Sequence, residues 1–160
     1  MGQRVSRDIA ASPEAVWEVV SDITRIGDWS TETYKCEWDE GQEPGVGATF
    51  MGYNRYGEAE WSNRARITEW VPNERLTWGV HLTERLAEMF GTDAVTSWGF
   101  EIEPTDSGSR LTQVAEDMRP DGLKKLGEKF IPEIADRVKR NEETMEATLA
   151  AIAQACEGGN

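Results

Sequence analysis

The chain has 160 residues, 38% of them hydrophobic, with 30 Asp and Glu against 17 Lys and Arg, a formal net charge of -13. That length suits one domain with a sizeable core, and the hydrophobic content is too high for a disordered chain of this charge. Like charges repel at long range, so the acidity argues against nucleic acid and anionic lipid surfaces as partners, while a neutral or apolar ligand stays open.

Residues 3–10 alternate through Val5, Arg7 and Ile9 and predict a first strand. Ser12-Pro13-Glu14 then opens a helix, with Ser as the cap, Pro at the first helical position and a carboxylate at the positive end of the dipole. Val16, Trp17, Val20 and Ile23 follow at helical spacing. Gly27 interrupts this segment, and Asp28-Trp29-Ser30 ends a second short helix. From Tyr34 to Met118 the pattern is mostly strand, broken at Gly41–Gly45, Gly57, Pro72-Asn73-Glu74 and Thr105-Asp106-Ser107-Gly108. Those breaks predict a meander of about six antiparallel strands. Between His81 and Gly91, the residues Leu82, Leu86, Met89 and Phe90 suit an amphipathic turn or lid. After Pro132 a long helix carries one apolar stripe through Ile134, Val138, Met145, Leu149, Ile152 and Cys156. Asn141 falls in the middle of that stripe. A polar side chain there is either tilted toward water or borders a cavity where an amide can meet a ligand.

Strand alternation sorts the faces. Phe50, Gly52 and Asn54 share one side, as do Trp61, Asn63, Ala65 and Ile67, with Arg64 and Arg66 opposite. Leu76, Trp78, Val80 and Leu82 form another such row, and Trp98, Phe100 and Ile102 a further one. A sheet of this kind buries its apolar face alone. Bulky aromatics mixed with Gly52, Ala65 and amides are what a concave ligand site requires, although Trp and Phe at alternate strand positions are more often core than pocket. Seven Trp in 160 residues is a high number. Trp17 and Trp38 read as structural, and Trp61, Trp78 and Trp98 as lining. Trp70, at a strand end before Pro72, has no assigned role.

Several chemistries lack their residues. His81 is the single histidine, and Cys36 and Cys156 are the two cysteines. Cys/His zinc sites and multi-histidine metal sites therefore have no ligands, and neither a metal nor a cofactor is expected. Gly45-Val46-Gly47 lacks the downstream Gly-Lys-Ser/Thr of a phosphate loop. The start, Met1-Gly2-Gln3-Arg4-Val5, has no apolar core of a signal peptide, though Gly2 and Ser6 fit the loose myristoylation pattern. No run approaches the ~18 apolar residues of a membrane span, so membrane insertion is not expected. The two distant cysteines read as a reduced, cytoplasmic pair rather than a disulfide, although their spacing alone does not exclude a bridge.

Beyond these element-level readings, the text resembles the polyketide cyclase/dehydrase branch of the START-like (SRPBCC, Bet v 1-like) superfamily. The resemblance rests on Ile9-Ala10-Ala11-Ser12-Pro13-Glu14-Ala15-Val16-Trp17, Ser21-Asp22-Ile23-Thr24-Arg25 and Trp29-Ser30. It continues through Cys36-Glu37-Trp38, Gly47-Ala48-Thr49-Phe50 with Gly52 and Asn54, and Trp61 ahead of Ile67-Thr68-Glu69. It ends in Thr144-Met145-Glu146-Ala147-Thr148-Leu149. It implies an α+β helix-grip fold: a curved antiparallel sheet of about seven strands around a long C-terminal helix, with two short helices after the first strand. One such domain is expected over residues 1–157, with a flexible tail at 158–160. A hydrophobic cavity between sheet and helix is implied too, for lipids, sterols, polyketides and other largely apolar molecules.

On that frame, the expected ligand-binding residues are Trp29, Phe50, Asn54, Trp61, Asn63, Trp78, Trp98, Phe100, Gln113, Asn141 and Met145. Aromatase/cyclases of the superfamily promote aldol condensation and dehydration, which would need proton donors and acceptors near enolisable carbons. His81, Tyr53 and Asp117 are the candidates for that role, with Arg66 a further polar group, yet no recognisable constellation forms in sequence. Three readings stand: a carrier or sensor of a hydrophobic small molecule, a cyclase/dehydrase in the same cavity, or an interaction protein using the acidic surface. The lack of a clustered acid/base set favours the first. Monomer and homodimer remain equally open.

Overall fold

The computed structural model describes residues 2–81, 88, 94–118, 125 and 137–158. Within them lie strands β1 (Gly2–Ile9), β2 (Thr33–Trp38), β3 (Thr49–Tyr56), β4 (Ala59–Val71), β5 (Arg75–His81), β6 (Ala94–Thr105) and β7 (Gly108–Asp117). All pair antiparallel in one sheet, in the order β1-β7-β6-β5-β4-β3-β2. Every neighbour is sequential except β1, which returns to cover β7. The predicted meander of six strands is β2 to β7. Its turns use the expected residues: Asn73, with φ 69°, takes the left-handed conformation between β4 and β5 that Asn tolerates better than most side chains.

Helix α1 (Pro13–Val20) starts as the sequence predicts: the Ser12 hydroxyl oxygen accepts from the Ala15 N–H at 3.2 Å, and Pro13 occupies the first turn. A 3-10 turn (Ile23–Arg25) follows, held by Asp22 accepting from the Thr24 N–H at 3.2 Å. It leads into α2 (Ile26–Trp29). Gly27 does not break this helix. It lies inside α2 because a Cβ there would run into the Tyr34 carbonyl, so only glycine lets α2 sit down on β2.

Helix α3 (Arg137–Gly158) packs against the inner face of the sheet. Near one end Asn141 donates to the Gln3 side chain at 3.2 Å, and near the other Glu157 accepts from the Ala10 N–H at 2.9 Å. From Asn141 to Glu157 a helix climbs about 24 Å, and from Gln3 to Ala10 a strand spans about 23 Å, so α3 runs alongside β1 in the same direction. Its stripe is as the spacing predicts: Met145, Leu149 and Ile152 are fully buried, each such side chain contributing about 1.5–3 kcal/mol. Leu149, Ile152 and Ala153 join Ile9, Val16, Ile23, Ile67, Leu76 and Leu111 in one core. The helix includes Gly158. The expected tail beyond it, the predicted positions Ile134 and Val138, and the lid residues Leu82, Leu86, Met89 and Phe90 lie outside the described side chains.

Candidate functional site

The strand registers put the predicted lining on one face. Asn54, Gly52 and Phe50 of β3 stand opposite Trp61, Asn63 and Ala65 of β4. Ile67 then stands opposite Trp78, Trp78 opposite Trp98, Trp98 opposite Ala115, and Phe100 opposite Gln113. This is the face toward α3. An aromatic row crosses it: Trp38–Phe50, Phe50–Trp78 and Trp78–Phe100, with ring centroids 5.7, 6.1 and 6.0 Å apart in edge-on or tilted geometry. Such geometry fits the ring quadrupoles. Trp38, read from sequence as structural, is part of this row. Trp61, Asn63, Asn54 and Trp98 are half-buried farther along the face, and Met145 is fully buried on α3.

The polar groups gather where α3 passes the start of β1. Gln113 stands opposite Val5 on one side and Phe100 on the other, and Gln3 stands opposite Ala115. Gln3 and Gln113 are therefore diagonal neighbours on one face, within reach of long side chains. Asn141 comes down from α3 onto Gln3. Gln113 and Asn141 are each only 7% exposed, yet the Gln113 Oε1 and Asn141 Oδ1 atoms are buried and meet no hydrogen-bond partner. Leaving a buried carbonyl oxygen unmatched costs about 1–3 kcal/mol. Across the face, the Thr33 hydroxyl donates to the Asn54 side-chain Oδ1 at 2.6 Å. Arg140 donates to Glu32 at 3.1 Å, both side chains nearly buried, and its guanidinium lies 3.8 Å from the Tyr56 ring centroid. Trp29 packs on the core from α2, with the Arg25 guanidinium over its ring at 4.6 Å and its own indole N–H buried without an acceptor.

The acid/base candidates are placed differently. Tyr53 is turned to the outer face, since it alternates with Gly52 and Asn54, and its hydroxyl donates to Glu37 at 3.1 Å. That bond holds the phenol above its ordinary pKa. Asp117 is exposed at the end of β7, opposite Thr96. His81 ends β5, half-buried, and pairs with Ala94 after a register shift. Arg66 lies on the outer face beside Arg64, which binds Asp39 at 2.9 Å. Cys36 is buried on the inner face, and burial pushes its thiol up to about 12, which leaves it protonated and unreactive at neutral pH.

Sequence reasoning missed Gln3, Glu32 and Arg140. A polar residue on an alternating strand or charged helix reads as facing water, and their partners lie more than a hundred residues away. Among the described residues no three His, Cys, Asp or Glu side chains converge as metal ligands. None of the described helices is long and apolar enough to cross a membrane.

Comparison with known proteins fits this geometry. The family described as polyketide cyclase / dehydrase and lipid transport matches residues 3–157. No functionally curated protein matches the chain. Among solved structures, the Polyketide_cyc-like protein Cgl2372 from Corynebacterium glutamicum is 30% identical, with a TM-score of 0.58 over 98% of this chain and 88% of that one. Protein MLL2253 from Mesorhizobium loti is 18% identical, with a TM-score of 0.66 over 100% of this chain and 99% of that one. The di-domain ARO/CYC StfQ of the steffimycin biosynthetic pathway is 13% identical, with a TM-score of 0.69 over 99% of this chain and 50% of that one. At such low identity the last two show a shared fold alone. A match over nearly the whole chain shows more: this protein belongs to the polyketide cyclase / dehydrase and lipid transport family.

Proposed function

We propose that the protein binds a hydrophobic small molecule, lipid- or polyketide-like, between the inner face of the sheet and α3. Family membership supports a ligand-binding or a cyclase role. One observation carries the choice of site: two buried amides, Gln113 and Asn141, keep unmatched carbonyl oxygens beside an aromatic floor. A self-sufficient core pairs such groups, and a ligand pocket leaves them for its guest. Amides hold and orient a ligand but do not exchange protons at neutral pH, so binding without chemistry fits this end of the face better than aldol cyclisation.

Native mass spectrometry of the freshly purified protein is expected to show a co-purifying apolar adduct, and Nile red is expected to bind. A protein that is persistently empty and also ignores Nile red would overturn the proposal. Trp61→Ala and Asn141→Leu are expected to change Nile red affinity more than they change Tm. Two purely destabilising variants would make both residues plain core.

A further inference from the structure

We infer that Gln113, with the Gln3–Asn141 pair, forms a neutral polar subsite for an uncharged hydroxyl group on the apolar ligand, and that it selects against carboxylates. This rests on the binding reading above and says which ligands satisfy it. Gln113 and Asn141 are both more than nine-tenths buried, and each has a polar atom with no partner. In the strand register Gln113 stands between Val5 and Phe100, both apolar, and its Oε1 meets no partner, which leaves that hydrogen bond for a ligand between the sheet and α3. Asn141 keeps its NH2 on Gln3, so what the two amides leave unmatched is a pair of carbonyl oxygens. A hydroxyl has a proton to donate to such an oxygen, whereas a carboxylate only accepts and would set its negative charge against both.

Charge at this end points the same way. The guanidinium of Arg140, next to Asn141 on α3, already faces the Glu32 carboxylate at 3.1 Å and stacks on Tyr56. An anion would have to compete with Glu32 for it, inside a chain of net charge -13. Burying an ionised carboxylate without a counter-charge costs far more than burying a hydrogen-bonded hydroxyl. The subsite therefore offers binding energy to alcohols and phenols that it denies to acids of the same size.

Three probes of equal ring system separate the cases: naphthalene, 2-naphthol and 2-naphthoate, titrated against the full chain at neutral pH by tryptophan fluorescence. 2-Naphthol is expected to bind about fivefold to tenfold more tightly than naphthalene, and 2-naphthoate about tenfold or more weakly than the phenol. Gln113→Leu is expected to bring 2-naphthol and naphthalene within about twofold of each other, with Asn141→Leu as a second route should the first variant fold poorly. Binding of all three probes with equal strength, or best binding of 2-naphthoate, would overturn the subsite while leaving the apolar site standing. Failure of every probe to bind would remove the site, and the subsite with it. The comparison on the unaltered chain decides by itself, without either variant.

Discussion

Gly52 stands on the inner face between Cys36 and Asn63, and a Cβ built there would meet Cys36 Sγ at 3.8 Å and the Asn63 carbonyl at 4.0 Å, ordinary contact distances. Its backbone lies outside the left-handed region, so an added methyl is tolerated. Gly52→Ala is expected to leave Tm near its original value. Gly52→Leu would extend over the floor and is expected to weaken Nile red binding about fivefold or more, measured by fluorescence titration. Equal binding by both variants would mean that ligand does not reach this stretch of β3. Single residues of this site were unevenly legible. Asn141 was visible because it interrupts an apolar stripe, and Gln113 was named only on the frame that the family resemblance supplied. Gln3 was not, since its role depends on a neighbour across the sheet and on a helix at the far end of the chain.

Among elements, α2 shows local and tertiary preferences in conflict. In an isolated helix, Ala is favoured over Gly by about 1 kcal/mol. At position 27 the Tyr34 carbonyl occupies the space a methyl would need. Gly27→Ala is therefore expected to destabilise the protein by about 1–3 kcal/mol in urea unfolding, and to loosen Trp29, two residues on. Unchanged or increased stability would mean that α2 can lift off β2 at no cost. The sequence showed Gly27 as an interruption, because propensity alone cannot see a neighbouring strand. Trp70 has a similar history. A register shift between Ile67 and Glu69 breaks the period of two, which turns Trp70 inward opposite Leu76 and sets it edge-on to Trp17 with ring centroids 5.1 Å apart. Strict alternation assigned it nothing.

Over the whole molecule, the acidic surface is tied down by a few cross-strand ion pairs. Hydrogen bonds from Arg64 and Thr49 hold the Asp39 carboxyl below its usual range, and hydrogen bonds from Arg4 do the same for Glu101. The second pair joins β1 to β6 across β7, with contacts of 2.9 and 3.0 Å. A carboxylate with a depressed folded pKa binds fewer protons folded than unfolded, so its stabilisation is complete above about pH 4, the unfolded value, and fades as pH falls through the folded value. Asp39→Asn/Glu101→Gln is therefore expected to be less stable than the original chain at pH 7 and to approach it toward about pH 2, in thermal melts across that range. A gap that stays constant with pH would assign these pairs no part in the acid response.

The order of elements, the seven-strand count, the capped start of α1 and the stripe of α3 could all be read from the chain, because each is a local pattern: a period of two, a period of 3.6, or a turn residue. The family was readable for the same reason, as spaced motifs keep their order along the chain. The polar end of the candidate site was decided only in three dimensions. Gln3, Gln113 and Asn141 meet because β1 closes the sheet against β7 and α3 runs back along β1. No period along the chain encodes a contact between its third residue and its hundred-and-forty-first.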